Sequence, residues 1–142
     1  MVFNTNGSVR GHDATSFLAL TVVYAICAYF GLNWAMVDGA GSPIWPAAGI
    51  GLAGLLLGGM RLWPAIVIGR TLAAIMSGSD QPFLAEIFLG FANAIATLAA
   101  CLLIRISGGL KAGLPSFGDV MRYVLAGALP YAVIVTAIGL TT

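Results

Sequence analysis

Five stretches of nearly unbroken apolar residues, separated by short polar or glycine-rich turns, set the pattern of this chain; they cover residues 17–37, 44–60, 62–76, 83–104 and about 123–140. None shows the strict alternation of a half-buried strand, so their length predicts helices. The first run has 21 residues; at about 1.5 Å each it spans roughly 31 Å, the thickness of a hydrocarbon core of about 30 Å. Pro46, Pro64 and Pro82 stand at the beginnings of the second, third and fourth runs, where a missing N–H costs nothing because the first helical turn has no partner for it. The second and third runs then hold only about 15 helical residues each, roughly 22 Å, which is short for a bilayer. They are either thin crossings held between neighbours or the two arms of a re-entrant hairpin. Both arrangements begin and end on one face and leave the orientation of the other runs unchanged.

Composition extends the pattern to the medium. Hydrophobic residues make up 60% of the chain and charged residues 8%, against about 25% charged in a soluble domain. Such a chain cannot cover itself in water, and in lipid only helices or closed barrels pair their own backbone groups. The expected fold class is therefore all-α, an integral membrane helical bundle of about five transmembrane helices, two of them short. The polar leader 1–16 carries Arg10, His12 and Asp13. The run behind it is too long for a signal-peptide core, so it is expected to remain as an anchor within one bundle over 17–142.

The formal net charge of +1 provides no basic face, so nucleic acid is not an expected partner. Cys27 and Cys101 lie inside apolar runs and read as small packing residues. The single histidine is in the leader, and no metal-spaced cluster, nucleophile–base set or phosphate loop is present. No catalytic residue, metal or cofactor is expected, and the chain is read as no enzyme.

Basic residues sort to one side. Arg10 precedes the first run, Arg61 separates the second and third, and Arg105, Lys111 and Arg122 separate the fourth and fifth, while the opposite turns hold Asp38 and Asp80. Positive loops stay cytoplasmic, which predicts a cytoplasmic N-terminus and, after five crossings, Thr142 outside. Trp34, Trp45 and Trp63 fall near run ends and read as an interfacial belt.

Small residues mark contact faces where no hydrophobic force joins helices. Ala47, Gly51, Gly54 and Gly58 recur at helical spacing and predict one smooth face packed inside the bundle rather than in a dimer. Arg70 interrupts the middle of the third run at a cost of about 2.5–3.5 kcal/mol, which its apolar neighbours only just return. It needs a partner or a wet cleft. On the fourth run Glu86, Gly90, Asn93 and Thr97 share one helical face. An Arg70–Glu86 pair is within range across the third turn, but side chains lean toward their helix N-termini and draw the two apart, which leaves Asn93 or freed carbonyls as alternative partners. Arg70, Glu86, Asn93 and Thr97 are the candidate ligand or partner residues; the competing reading is that they only hold helices together. Pro130 breaks the last run and reads as a static kink.

The segment Ser42-Pro43-Ile44-Trp45-Pro46-Ala47-Ala48-Gly49-Ile50, with Gly59-Met60-Arg61-Leu62-Trp63-Pro64 after it, resembles the signature of the first-type MASE domain, the membrane-associated sensor domain of bacterial signalling proteins. Trp45, Pro46, Gly49, Arg61, Trp63 and Pro64 carry the likeness, which continues through Gly69, the Asn93 region, Leu103-Ile104-Arg105 and Asp119. The resemblance implies a signal-input module of the bacterial inner membrane that passes a stimulus to a cytoplasmic histidine kinase or cyclic-di-GMP enzyme. The family's domain has about eight helices, so the five runs correspond to its N-terminal part.

Two other functions remain open on the residues alone. One is an accessory or scaffold subunit of a larger membrane complex, with the lipid bilayer and other membrane subunits as its partners. The other is a small-solute carrier, suggested by short helices and mid-membrane polar groups but lacking a doubled repeat.

Overall fold

The computed structural model describes residues 9–34, 45–106, 125, 131 and 133. Among these residues the helices follow in the order α1 (Val9–Trp34), α2 (Pro46–Gly58), α3 (Trp63–Ser77) and α4 (Phe83–Ile106), with a 3-10 turn at Met60–Leu62. Among the described residues all regular structure is helical. The fifth run as a whole, Pro130, Asp38, Lys111, Asp119, Arg122 and Thr142 lie outside the described residues, as do the side chains of Arg10, His12, Asp13 and Trp34. Among the described residues two helices are long and apolar enough to cross a membrane, over Ala14–Asn33 and Phe83–Ile106, and α2 is a shorter apolar helix.

Local chemistry places the boundaries. Pro46 opens α2, and Pro64 lies in the first turn of α3. Pro82 stands just ahead of α4, and its carbonyl accepts the Glu86 N–H at 3.2 Å. α2 stops at Gly59, whose φ of 98° is closed to most L side chains and whose N–H donates to the Leu55 carbonyl at 3.1 Å. α3 stops at Gly78, φ 69°, where the Gly78 and Ser79 N–H groups donate back to Ile75 and Ala74, closing the helix with a left-handed glycine cap. Residues 9–16 of the leader already belong to α1, which begins at Val9. Its 26 residues make a rod of about 39 Å, longer than a hydrocarbon core, so the polar first turns of the helix extend beyond the apolar stretch.

The bundle closes in the order α1, α3, α4, α2, with α2 returning to α1; α1 packs most extensively on α3. Consecutive α2 and α3 therefore sit on a diagonal and scarcely touch, which is not the arrangement of a closely packed hairpin. The expected small-residue face on α2 works inward through its first three members. Ala47 is fully buried, a Cβ on Gly51 would stand 3.1 Å from the Tyr24 ring and 3.3 Å from Ile66, and Gly54 lies against the end of Leu20. Gly58 breaks the face: it is exposed and meets only Leu62 of the next turn, because α2 is ending there.

Candidate functional site

Arg70 and Glu86 come together. The guanidinium Nη1 lies 2.9 Å from the Glu86 carboxylate Oε2, with side-chain exposures of 7% and 6%. These two atoms are sealed from solvent and meet in ionic contact without the alignment of a hydrogen bond. The opposing lean expected from the two helices does not prevent the pair, because the flexible stem of the arginine reaches back across the short α3–α4 turn. Among the described residues, neither Asn93 nor a freed carbonyl bonds Arg70 in its place. The second carboxylate oxygen of Glu86 accepts a hydrogen bond from the Ser79 hydroxyl. Ser79 in turn accepts from the Gln81 N–H at 3.3 Å. Ser79 and Gln81 are exposed, so the buried carboxylate is linked by one hydroxyl to the surface of the turn.

Trp45, the residue ahead of α2, covers the cation from the other side. Its ring centroid is 5.7 Å from the Arg70 guanidinium carbon, within the range of about 6 Å for a cation–π contact. α1 makes room for the indole at Gly31, where a Cβ would stand 2.9 Å from the ring. The sequence pattern put Trp45 in an interfacial belt, but its ring turns into the bundle. Its Nε1–H is buried and forms no hydrogen bond, although it lies near the hydroxyls of Tyr24 and Tyr131.

Deeper on the same face of α4, Asn93 gathers a second group of bonds. Its Oδ1 accepts from the Tyr24 hydroxyl at 3.4 Å and, more closely, from the Tyr131 hydroxyl. Its Nδ2 donates to the Leu89 carbonyl of its own helix at 2.7 Å. Trp45, near both tyrosine hydroxyls and over Arg70, joins the two groups into one polar layer drawn from α1, α2, α3, α4 and Tyr131. Among the described residues no group of His, Cys, Asp and Glu is placed to hold a metal ion.

The MASE1 family model matches residues 16–142, which include this polar layer. The chain belongs to the MASE1 family. MASE1 is a membrane-associated sensor domain. No curated protein and no solved structure matches the chain.

Most of the residues that carry the resemblance fall at two connections. Trp45 and Pro46 open α2, Arg61 lies in the 3-10 turn, and Trp63 and Pro64 open α3. Trp63 packs its ring 6.0 Å from that of Phe91. Gly49 is exposed, with open space around it. Arg61 is exposed at the end of the bundle opposite Glu86, where Arg105 also reaches the Leu55 carbonyl at 3.5 Å. Arg61 and Arg105 thus share one end of the bundle, while Arg70 pairs with Glu86 toward the other.

Of the four candidate residues, Thr97 stands apart. It is buried, but its hydroxyl donates to the Asn93 carbonyl of its own helix at 2.7 Å and its methyl faces Gly51. Sequence reasoning also passed over Tyr24, Tyr131, Ser79 and the inward role of Trp45. For the tyrosines a signal existed: a phenol inside an apolar run needs a partner for its O–H.

Proposed function

We propose that this MASE1 chain is the signal-input part of a bacterial inner-membrane sensor and that the Arg70–Glu86 pair is its sensing element. In this reading the chain crosses the membrane five times with its N-terminus in the cytoplasm, passes the signal to an effector, and catalyses nothing. The observation that carries it is the ion pair itself, almost fully buried between α3 and α4. A buried pair contributes little net stability, yet removing one partner is costly because it leaves the other charge unpaired. A stimulus that competes for either charge therefore acts on how α3 and α4 pack, which is the kind of two-state element a ligand can bias. The exposed Phe83, Phe88 and Phe91 of α4 favour a second reading, a docking flank for another membrane subunit.

The test compares signalling output in cells carrying the natural sequence with output after Arg70→Gln and Glu86→Gln together, which removes both charges at nearly constant volume. Output fixed at one level supports the reading; a wild-type response sinks it. Recovery of the chain from native membranes in a fixed-stoichiometry assembly without a signalling effector would favour the subunit reading instead. The topology is checked by engineered cysteines at Asp38 and Lys111, which should label from opposite compartments.

A further inference from the structure

Two exposed cations meet at the end of the bundle away from Glu86. α2 closes with the Leu55 carbonyl accepting the Gly59 N–H at 3.1 Å, and Nη2 of Arg105, from α4, reaches the same oxygen at 3.5 Å. Arg61 comes two residues after Gly59, in the 3-10 turn that packs against α2. Adjoining elements thus bring both arginines to one corner. Both are exposed, and among the described residues neither has an ionic partner. The acidic side chains described, Asp80 and Glu86, belong to the α3–α4 turn and the first turn of α4, at the opposite end.

Capping α2 does not use up Arg105. A helix C-terminus attracts a cation, but 3.5 Å is longer than the usual N–H···O distance of about 2.7–3.2 Å. The contact is loose and engages one nitrogen, which leaves the other guanidinium donors without a described partner. The surface that leads to this corner is apolar. Leu57, in the last turn of α2, is 85% exposed, and Leu102 and Ile106, on either side of Arg105 in α4, are 47% and 73% exposed. In lipid such a strip is covered by acyl chains, and a chain lying along it brings its headgroup to the arginines.

We propose that this corner binds the headgroup of an anionic phospholipid, with its phosphate on Arg61 and Arg105 and its acyl chains along Leu57, Leu102 and Ile106. A phosphate suits the planar fork of arginine, and basic pockets between membrane helices hold anionic headgroups. The phosphate alone does not select, since phosphatidylcholine carries one too. The second cation selects: with its phosphate on one arginine, a choline headgroup still sets its own positive charge against the other, whereas an anionic headgroup brings none. A lipid held in this way bridges the α2–α3 turn to the end of α4, so the packing at this end responds to the anionic content of the membrane. The inference stands apart from the sensing role of Arg70 and Glu86, and it holds whichever leaflet this end faces.

The test is native mass spectrometry of the full chain in neutral detergent micelles containing equal amounts of phosphatidylglycerol and phosphatidylcholine. Phosphatidylglycerol is expected to be retained about twentyfold over phosphatidylcholine, from about fivefold for each basic residue beside an anionic headgroup. Arg61→Gln or Arg105→Gln alone should lower the preference about fivefold, and the two together should abolish it. Asp80→Asn raises the net charge at the far end and should leave the preference unchanged, which separates a local site from a general attraction. Inorganic phosphate should not displace the lipid. The proposal is overturned by equal retention of the two lipids, by a preference that survives the double variant, by an Asp80→Asn shift as large as that of an arginine variant, or by displacement with inorganic phosphate, which would make the corner a site for the free ion. Thiol protection of buried Cys101 checks that each variant is folded; should the double variant fail that check, the lipid comparison on the natural sequence and the Asp80→Asn arm still decide.

Discussion

The two flanks of α3 are held by opposite means. Toward α1 it is held by closeness: a Cβ on Gly69 would come 3.0 Å from the Thr21 carbonyl and 3.1 Å from the Tyr24 ring, so the two helices meet backbone to side chain. Toward α4 it is held partly by the same device, since a Cβ on Gly90 would come 3.1 Å from the Val67 carbonyl, and partly by the Arg70–Glu86 pair. The α1 flank is a fixed fit with one good geometry. The α4 flank contains a buried charge pair. On the proposed sensing role, α1–α3 is the frame and α3–α4 the joint.

The largest effect expected from breaking this contrast is at the joint. Arg70→Ala strands the Glu86 carboxylate and should cost about 3–5 kcal/mol, whereas Arg70→Leu combined with Glu86→Met should be near neutral, because two matched apolar groups replace a pair that contributes little net energy. Stability is read by SDS titration of the chain in mixed micelles, with thiol labelling of buried Cys101 as a second measure of opening. A double variant as unstable as the single one would show that the pair is structural rather than a joint. Arg61 is exposed and belongs to neither flank; Arg61→Ala should change stability by no more than about 0.5 kcal/mol.

Next comes the frame. Gly69→Ala pushes a methyl toward the Thr21 carbonyl, a backbone atom that cannot rotate away. The expected cost is about 1–3 kcal/mol from overpacking, with little change in signalling output. If Gly69→Ala altered the output as strongly as a joint variant does, the separation of frame from joint would collapse.

Much of this division was legible in the residues before any coordinates. The prolines located the starts of α2, α3 and α4, and the shared face of Glu86, Asn93 and the small Gly90 was visible from helical spacing alone. Gly90 was read with the polar stripe, yet it serves as a contact point for the Val67 carbonyl. The tightest backbone approach, at Gly69, escaped notice because a lone glycine has no periodicity to betray it. The order of the helices was also hidden: hydropathy is the same on every side of an apolar helix, so nothing local says that α2 and α3 sit on a diagonal. Trp45 was misplaced for a related reason, since a tryptophan at a helix start suits a membrane interface as well as it suits the cover of a cation. What settles it is Gly31, 14 positions earlier in the chain, whose missing side chain leaves space for the ring.

The smallest expected effect tests whether closeness itself, or closeness to backbone, defines the frame. Gly54 is tighter by distance than Gly69, since a Cβ there would come 2.5 Å from one Leu20 methyl and 2.8 Å from the other. Those atoms are the flexible end of a side chain and can move into a neighbouring rotamer. Replacing a helical glycine by alanine also returns about 1 kcal/mol of helix propensity. The two terms nearly cancel, so Gly54→Ala should leave stability within about 0.5 kcal/mol of the parent, the range of a substitution with no structural mechanism behind it. A loss equal to that of Gly69→Ala in the same SDS titration would mean that α1 and α2 are locked as firmly as α1 and α3, and that the frame includes the α2 side of the bundle as well.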